Sequence, residues 1–130
     1  MITTNVYFRV FHLKAGGKSG TCFSLDVNGK QYIVCAKHQV EYWDFSNCME
    51  IFHEELWKEV KFDLVGHCED PIDISVLAPS FQISPPYILE GSHKGLINGQ
   101  DVYFLGFPYG LSGEMGKINR GFPLPLIKKL

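Results

Sequence analysis

The chain has 130 residues, 45% of them apolar and 14% aromatic, with 12 Lys and Arg against 14 Asp and Glu for a formal net charge of −2. That length holds one domain with a core of its own, and the composition excludes a disordered chain, which would carry fewer aromatics and more charge. Charge is scattered without a basic stripe and no apolar run reaches 18 or so residues, so neither nucleic acid nor a membrane is an expected partner.

Met1-Ile2-Thr3-Thr4-Asn5 passes directly into an alternating segment, with none of the basic start, apolar stretch and small-residue cleavage site of a secretory signal. With Met1 as the start, the cytoplasm is the expected location. Cys22, Cys35, Cys48 and Cys68 are then expected as reduced thiols. Their even number is weak ground for a disulfide framework.

Val6 to Leu13 (VYFRVFHL) is rich in β-branched and aromatic residues, and Ala15-Gly16-Gly17-Lys18-Ser19 breaks the run. Thr21 to Val27 alternates, with Phe23, Leu25 and Val27 on one side and Cys22, Ser24 and Asp26 on the other. Asn28-Gly29 suits the left-handed conformations of a tight hairpin turn. Gln31 to Ala36 (QYIVCA) returns as a strand whose continuous apolar character predicts burial on both faces.

His38 falls where that strand ends, and Gln39 to Asn47 reads as a short helical turn and loop. Met49 to Phe52 and Trp57 to Cys68 read as two strands joined around Glu54-Glu55, although Glu50 to Val60 has mixed spacings that also suit a helix. Asp73 to Leu77 (DISVL) is short and apolar between Pro71 and Pro79. Pro85-Pro86 and the stretch from Gly91 to Gly99 form a long polar connection, and Val102 to Phe107 (VYFLGF) is the sixth strong strand signal, closed by Pro108 and Gly110. Short strands with turn signals and no long helix predict an all-β barrel or sandwich. The tail, Gly113 to Leu130, carries closely spaced Gly and Pro and reads as a connecting segment.

Four segments, taken in order, resemble the trypsin-like (chymotrypsin/HtrA-like) serine peptidase family. Gly20-Thr21-Cys22-Phe23 is similar to its "G-T-G-F" strand, and Ile33-Val34-Cys35-Ala36-Lys37-His38-Gln39-Val40 to its "V-T-A-A-H-V" block. Asp73-Ile74-Ser75-Val76-Leu77 is similar to "D-I-A-V-L", and the run from Gly99 to Gly110 to the "G-x-x-V-x-x-x-G-Y-P-x-G" strand that ends the first barrel. The resemblance implies a six-stranded antiparallel β-barrel over residues 1–112, with residues 113–130 leading toward a second barrel absent from this chain. It implies peptide-bond hydrolysis of protein or peptide substrates without any cofactor or metal, with His38 as general base and acid and Asp73 as its orienting carboxylate.

Elementary chemistry favours the same two residues. A Ser or Cys nucleophile is poor at neutral pH until a base takes its proton. Imidazole suits that role and needs a carboxylate on its other nitrogen to fix one tautomer. Asp73 lies 73 − 38 = 35 positions after His38, and strand ends of a rigid barrel can bring such a pair together. Asp70 is a rival carboxylate. Lys37 stands where the family often has Ala, and a cation there either lowers the His pKa or points to solvent. Cys35-x-x-His38, Cys48-x4-His53 and His67-Cys68 are possible zinc ligands, though their spacings match no standard finger.

The family's "G-x-S-G-G" nucleophile and oxyanion block is missing; Gly17-Lys18-Ser19-Gly20 has only its shape and precedes the histidine. The chain alone is therefore expected to be inactive. A lone first barrel would expose apolar surface, so self-association or a second chain covering that face is expected. The alternatives are a non-catalytic interaction module and an unrelated small barrel, in which His38 and Asp73 would lie far apart.

Overall fold

A computed structural model of the chain describes residues 4–53, 55–85, 94–107 and 126–129. A single helical turn, α1 (Thr4–Tyr7), precedes β1 (Val10–Ala15), β2 (Lys18–Val27) and β3 (Lys30–Cys35). A second turn, α2 (Lys37–Val40), leads to β4 (Met49–His53), β5 (Leu56–Val60), β6 (Phe62–His67) and β7 (Ser75–Pro79). Two further strands, β8 (Tyr103–Gly106) and β9 (Leu126–Lys129), form a separate antiparallel pair. The expected connection over residues 86–93 and most of the tail lie outside the described residues.

The chain is all-β in character. Seven antiparallel strands form one curled, half-barrel sheet in the order β5-β4-β1-β2-β3-β7-β6. Tight turns set the first registers. Gly16, at φ 62°, lets Ala15 face Lys18 across a two-residue turn, so β1 continues through the alanine that the sequence reads as part of a break. Asn28 and Gly29, at φ 52° and 78°, make the expected hairpin turn between β2 and β3.

Inside the curl, Phe11, Leu13, Ile33, Cys35, Met49, Ile51, Val60, Phe62 and Leu77 form the core, with Val40 of α2 and Ile83 closing its ends. Each large apolar side chain taken out of water contributes roughly 1.5–3 kcal/mol, so these rows supply most of the driving force.

Several expected boundaries differ. The first strand starts at Val10 rather than Val6, because the Arg9 carbonyl accepts the Ser24 amide at 2.8 Å and the ladder with β2 begins there. Only one face of β3 is buried, through Gln31, Ile33 and Cys35; Tyr32 and Val34 are half-buried. The strand expected over Trp57 to Cys68 divides at Lys61. Val60 pairs with Met49 on β4, Phe62 pairs with Pro79 on β7, and the Lys61 carbonyl accepts the Ser80 amide at 3.0 Å. The chain thus leaves one edge of the sheet and joins the other across a single residue, while the strand expected over Val102 to Phe107 is β8, paired with β9 outside this sheet, so nine strands are described where six were expected. β9 was not anticipated at all.

Phe62→Ala should lower unfolding free energy by about 3–5 kcal/mol, whereas Asp63→Ala on the exposed face of the same strand should stay within about 0.5 kcal/mol. Chemical denaturation with an unchanged denaturant slope measures both.

Candidate active site

The pairing of β3 with β7 brings the site together. Ile33 faces Leu77, Val34 faces Val76 and Cys35 faces Ser75. Just beyond Cys35 the chain passes through extended Ala36 into α2, which the fully buried Val40 anchors to the core. On the neighbouring strand, Asp73 lies two residues before β7 starts rather than within it.

One carboxylate then holds His38 twice. Asp73 Oδ1 accepts the His38 backbone amide at 2.8 Å, and Oδ2 lies 2.5 Å from His38 Nδ1. The Lys37 amide also reaches the Asp73 carbonyl at 3.3 Å. The His38 amide, and after it the His38 ring, hold the Asp73 carboxyl below its ordinary pKa. It is therefore ionised and acceptor-only at neutral pH, which assigns the imidazole proton to Nδ1 and leaves a lone pair on Nε2. The His38 side chain is 68% exposed, with its Nδ1 taken up by Asp73.

Asp70 does not share this role. Its side chain is 92% exposed and is bonded to the Lys37 ammonium, which also donates to the Cys68 carbonyl at 3.1 Å. Lys37 thus neither faces the imidazole nor points to solvent, and the Asp70 contact raises its pKa.

Two contacts at the His38 turn escaped the sequence reading. Lys18 Nζ donates to the His38 carbonyl at 3.2 Å. The Gln39 side chain lies against Gly20 so closely that a Cβ there would fall 1.2 Å from Gln39 Nε2. A side chain at Gly20 would therefore displace the Gln39 amide, the movable end of that side chain, and the place of Gly20 in the Gly-Thr block was the only sequence signal.

Cys22 and Cys35 face each other across β2 and β3, both buried. Burial pushes the Cys35 thiol up to about 12, with the nearby Asp73 charge adding to it, and burial raises Cys22 as well. Neither is a thiolate nucleophile or a ready ligand. His67 Nδ1 lies 2.6 Å from Ser75 Oγ. Among the described residues no group of three or more His, Cys, Asp or Glu could hold a metal ion.

Chemically, the arrangement orients an imidazole whose Nε2 can accept a proton from an approaching group. Ser19 of the Gly17-Lys18-Ser19-Gly20 segment lies in β2, paired with Lys14. No hydrogen bond joins His38 to a hydroxyl or thiol among the described residues. No protein-family model matches the chain, and no curated protein aligns with it. No helix among the described residues is long and apolar enough to cross a membrane.

Asp73 has a depressed folded pKa, so its contribution to stability is present above the unfolded carboxylate value of about 3.9 and fades as pH falls through the folded one. The stability difference between the native chain and Asp73→Asn should therefore persist down to that range and shrink below it. A difference independent of pH down to complete protonation would contradict the bonded geometry. Thiol labelling at pH 8 should modify exposed Cys48 rapidly and Cys22 and Cys35 only on unfolding, as mass spectrometry of digests would show.

Proposed function

We propose that this chain is the N-terminal half of a trypsin-like serine endopeptidase. The observation that carries this reading is the double grip of one carboxylate, Asp73, on the amide and ring of His38. In this role His38 takes the proton of an incoming nucleophile and returns it to the leaving amine, while Asp73 fixes the tautomer and stabilises the imidazolium. The nucleophile and oxyanion donors come from a second half that follows residues 113–130, and no cofactor enters the chemistry.

The topology supports the same reading. β5 and β6 follow each other across Lys61 and so run from one edge of the curled sheet to the other, as one bent strand of a closing barrel would, although β8, the strand the resemblance puts at the end of the barrel, pairs outside this sheet. In this reading residues 1–112 form the first barrel.

The test is the gene product translated past Leu130. Beyond Leu130 it should contain Gly-x-Ser-Gly, it should hydrolyse a denatured protein substrate, and His38→Ala or Asp73→Asn should each lower kcat about 10⁴-fold, the loss typical of such triad members. A stop codon directly after Leu130, or full activity in His38→Ala, would refute the reading.

A second reading, a non-catalytic barrel that binds a protein partner, is favoured by the exposed Phe8, Phe23, Tyr42, Leu96 and Ile97. Either way the 130-residue chain alone should self-associate. Light scattering at high concentration should give a mass above the 14.7 kDa monomer, and a clean monomer would count against a covered face.

A further inference from the structure

We propose that Lys37 is a positioning residue for the His38–Asp73 pair, locking the segment that carries Asp73 against the turn that carries His38. The proposal rests on the catalytic reading above and adds to it a residue outside the reacting groups. Its starting point is a mechanical difficulty. Both members of the pair lie in water, with His38 68% and Asp73 49% exposed, and Asp73 sits in the connection between β6 and β7 rather than on a strand. Packing alone does not fix a carboxylate placed in this way, and exposed ion pairs hold their own geometry weakly.

Lys37 supplies the missing restraint from both its ends. Its backbone amide bonds the Asp73 carbonyl at 3.3 Å. Its side chain, largely buried, runs beneath the same connection and bonds the Cys68 carbonyl at 3.1 Å and the Asp70 carboxylate. The connection is also closed on itself, by the Cys68 amide on the Ile74 carbonyl and the Ile72 amide on the Glu69 carbonyl, both at 2.9 Å. Residues 68–74 therefore behave as one closed loop, and Lys37 grips that loop at three points. Because Lys37 precedes His38 in the same turn, holding the loop to Lys37 holds the carboxylate to the imidazole. An alanine, which the resembling block often has here, cannot reach either oxygen.

An ordinary surface salt bridge would add a little stability and leave the imidazole untouched; a positioning residue changes the state of the ring. Long-range ¹H–¹⁵N spectra of the 130-residue chain, recorded where His38 is neutral, separate the two. The native chain should show His38 as the Nδ1–H tautomer. Lys37→Met should shift it toward the Nε2–H form that a solvated imidazole prefers, Lys37→Arg should restore the Nδ1–H signal, and Asp70→Asn should lose part of it because the Cys68 contact remains. A native-like tautomer in Lys37→Met overturns the proposal alone. Should Lys37→Met fail to fold, an unchanged tautomer in Asp70→Asn overturns it instead. A native chain without the Nδ1–H form overturns both this proposal and the catalytic reading beneath it.

Discussion

Everything at the site follows from the register between β3 and β7. Cys35 faces Ser75 at the last paired position, and the two chains part there, one toward His38 and the other back toward Asp73. Side chains on a strand alternate, so a one-residue slip would turn every inward residue outward. It would also bring Ile72 or Ile74, rather than Asp73, to the imidazole. The slip is prevented by the pair Ile33 and Leu77, both fully buried on the inner face, whose exposure would forfeit roughly 1.5–3 kcal/mol apiece. Apolar packing several residues away therefore brings His38 and Asp73 to the same end of the sheet, and the contacts of Lys37 hold them together there.

Stability and chemistry occupy different parts of the molecule. The core rows hold the sheet. A buried polar network then directs the chain leaving β7. Gln31 Oε1 accepts the amides of Ile83 and Ser84 at 2.7 and 3.0 Å, its Nε2 donates to Ser84 and Asp26, and Ser24 meets Ser84 at 2.5 Å. Arg9 joins through Asp26 at 2.8 Å, with Nε and Nη2 buried and without hydrogen-bond partners among the described residues. Hydrogen bonds of this kind add only about 0.5–1.5 kcal/mol each, but an unmet buried group is expensive, so they select the path more than they drive folding. The exposed His38–Asp73 pair contributes little to stability by comparison, which leaves it free to be arranged for chemistry.

Much of this was legible in the residues. The strand ends placed His38 and Asp73 at plausible meeting points, and Asn28-Gly29 marked its hairpin. What was hidden has a physical pattern. Alternation in β2 separates Phe23 and Val27 from Cys22 and Ser24 but does not say which set faces in, and the smaller set does. Val60 and Phe62 keep one period through Lys61, so periodicity carries no mark of the change of partner strand. Pro123 and Pro125 made Leu126 to Lys129 look like linker, although Pro suppresses pairing only at its own position. The grip of Lys37 on Asp70 and Cys68, and of Gln39 on Gly20, joins residues distant in sequence that no local pattern connects.

The most direct measurement is the proton held between His38 and Asp73. A one-dimensional ¹H spectrum of the chain at low temperature should contain a low-field Nδ1–H resonance that disappears in Asp73→Asn and is weakened but still present in Asp70→Asn. Its absence from the native chain, or its persistence in Asp73→Asn, would contradict the claim that the β3–β7 register sets an Asp73 carboxylate on His38 Nδ1.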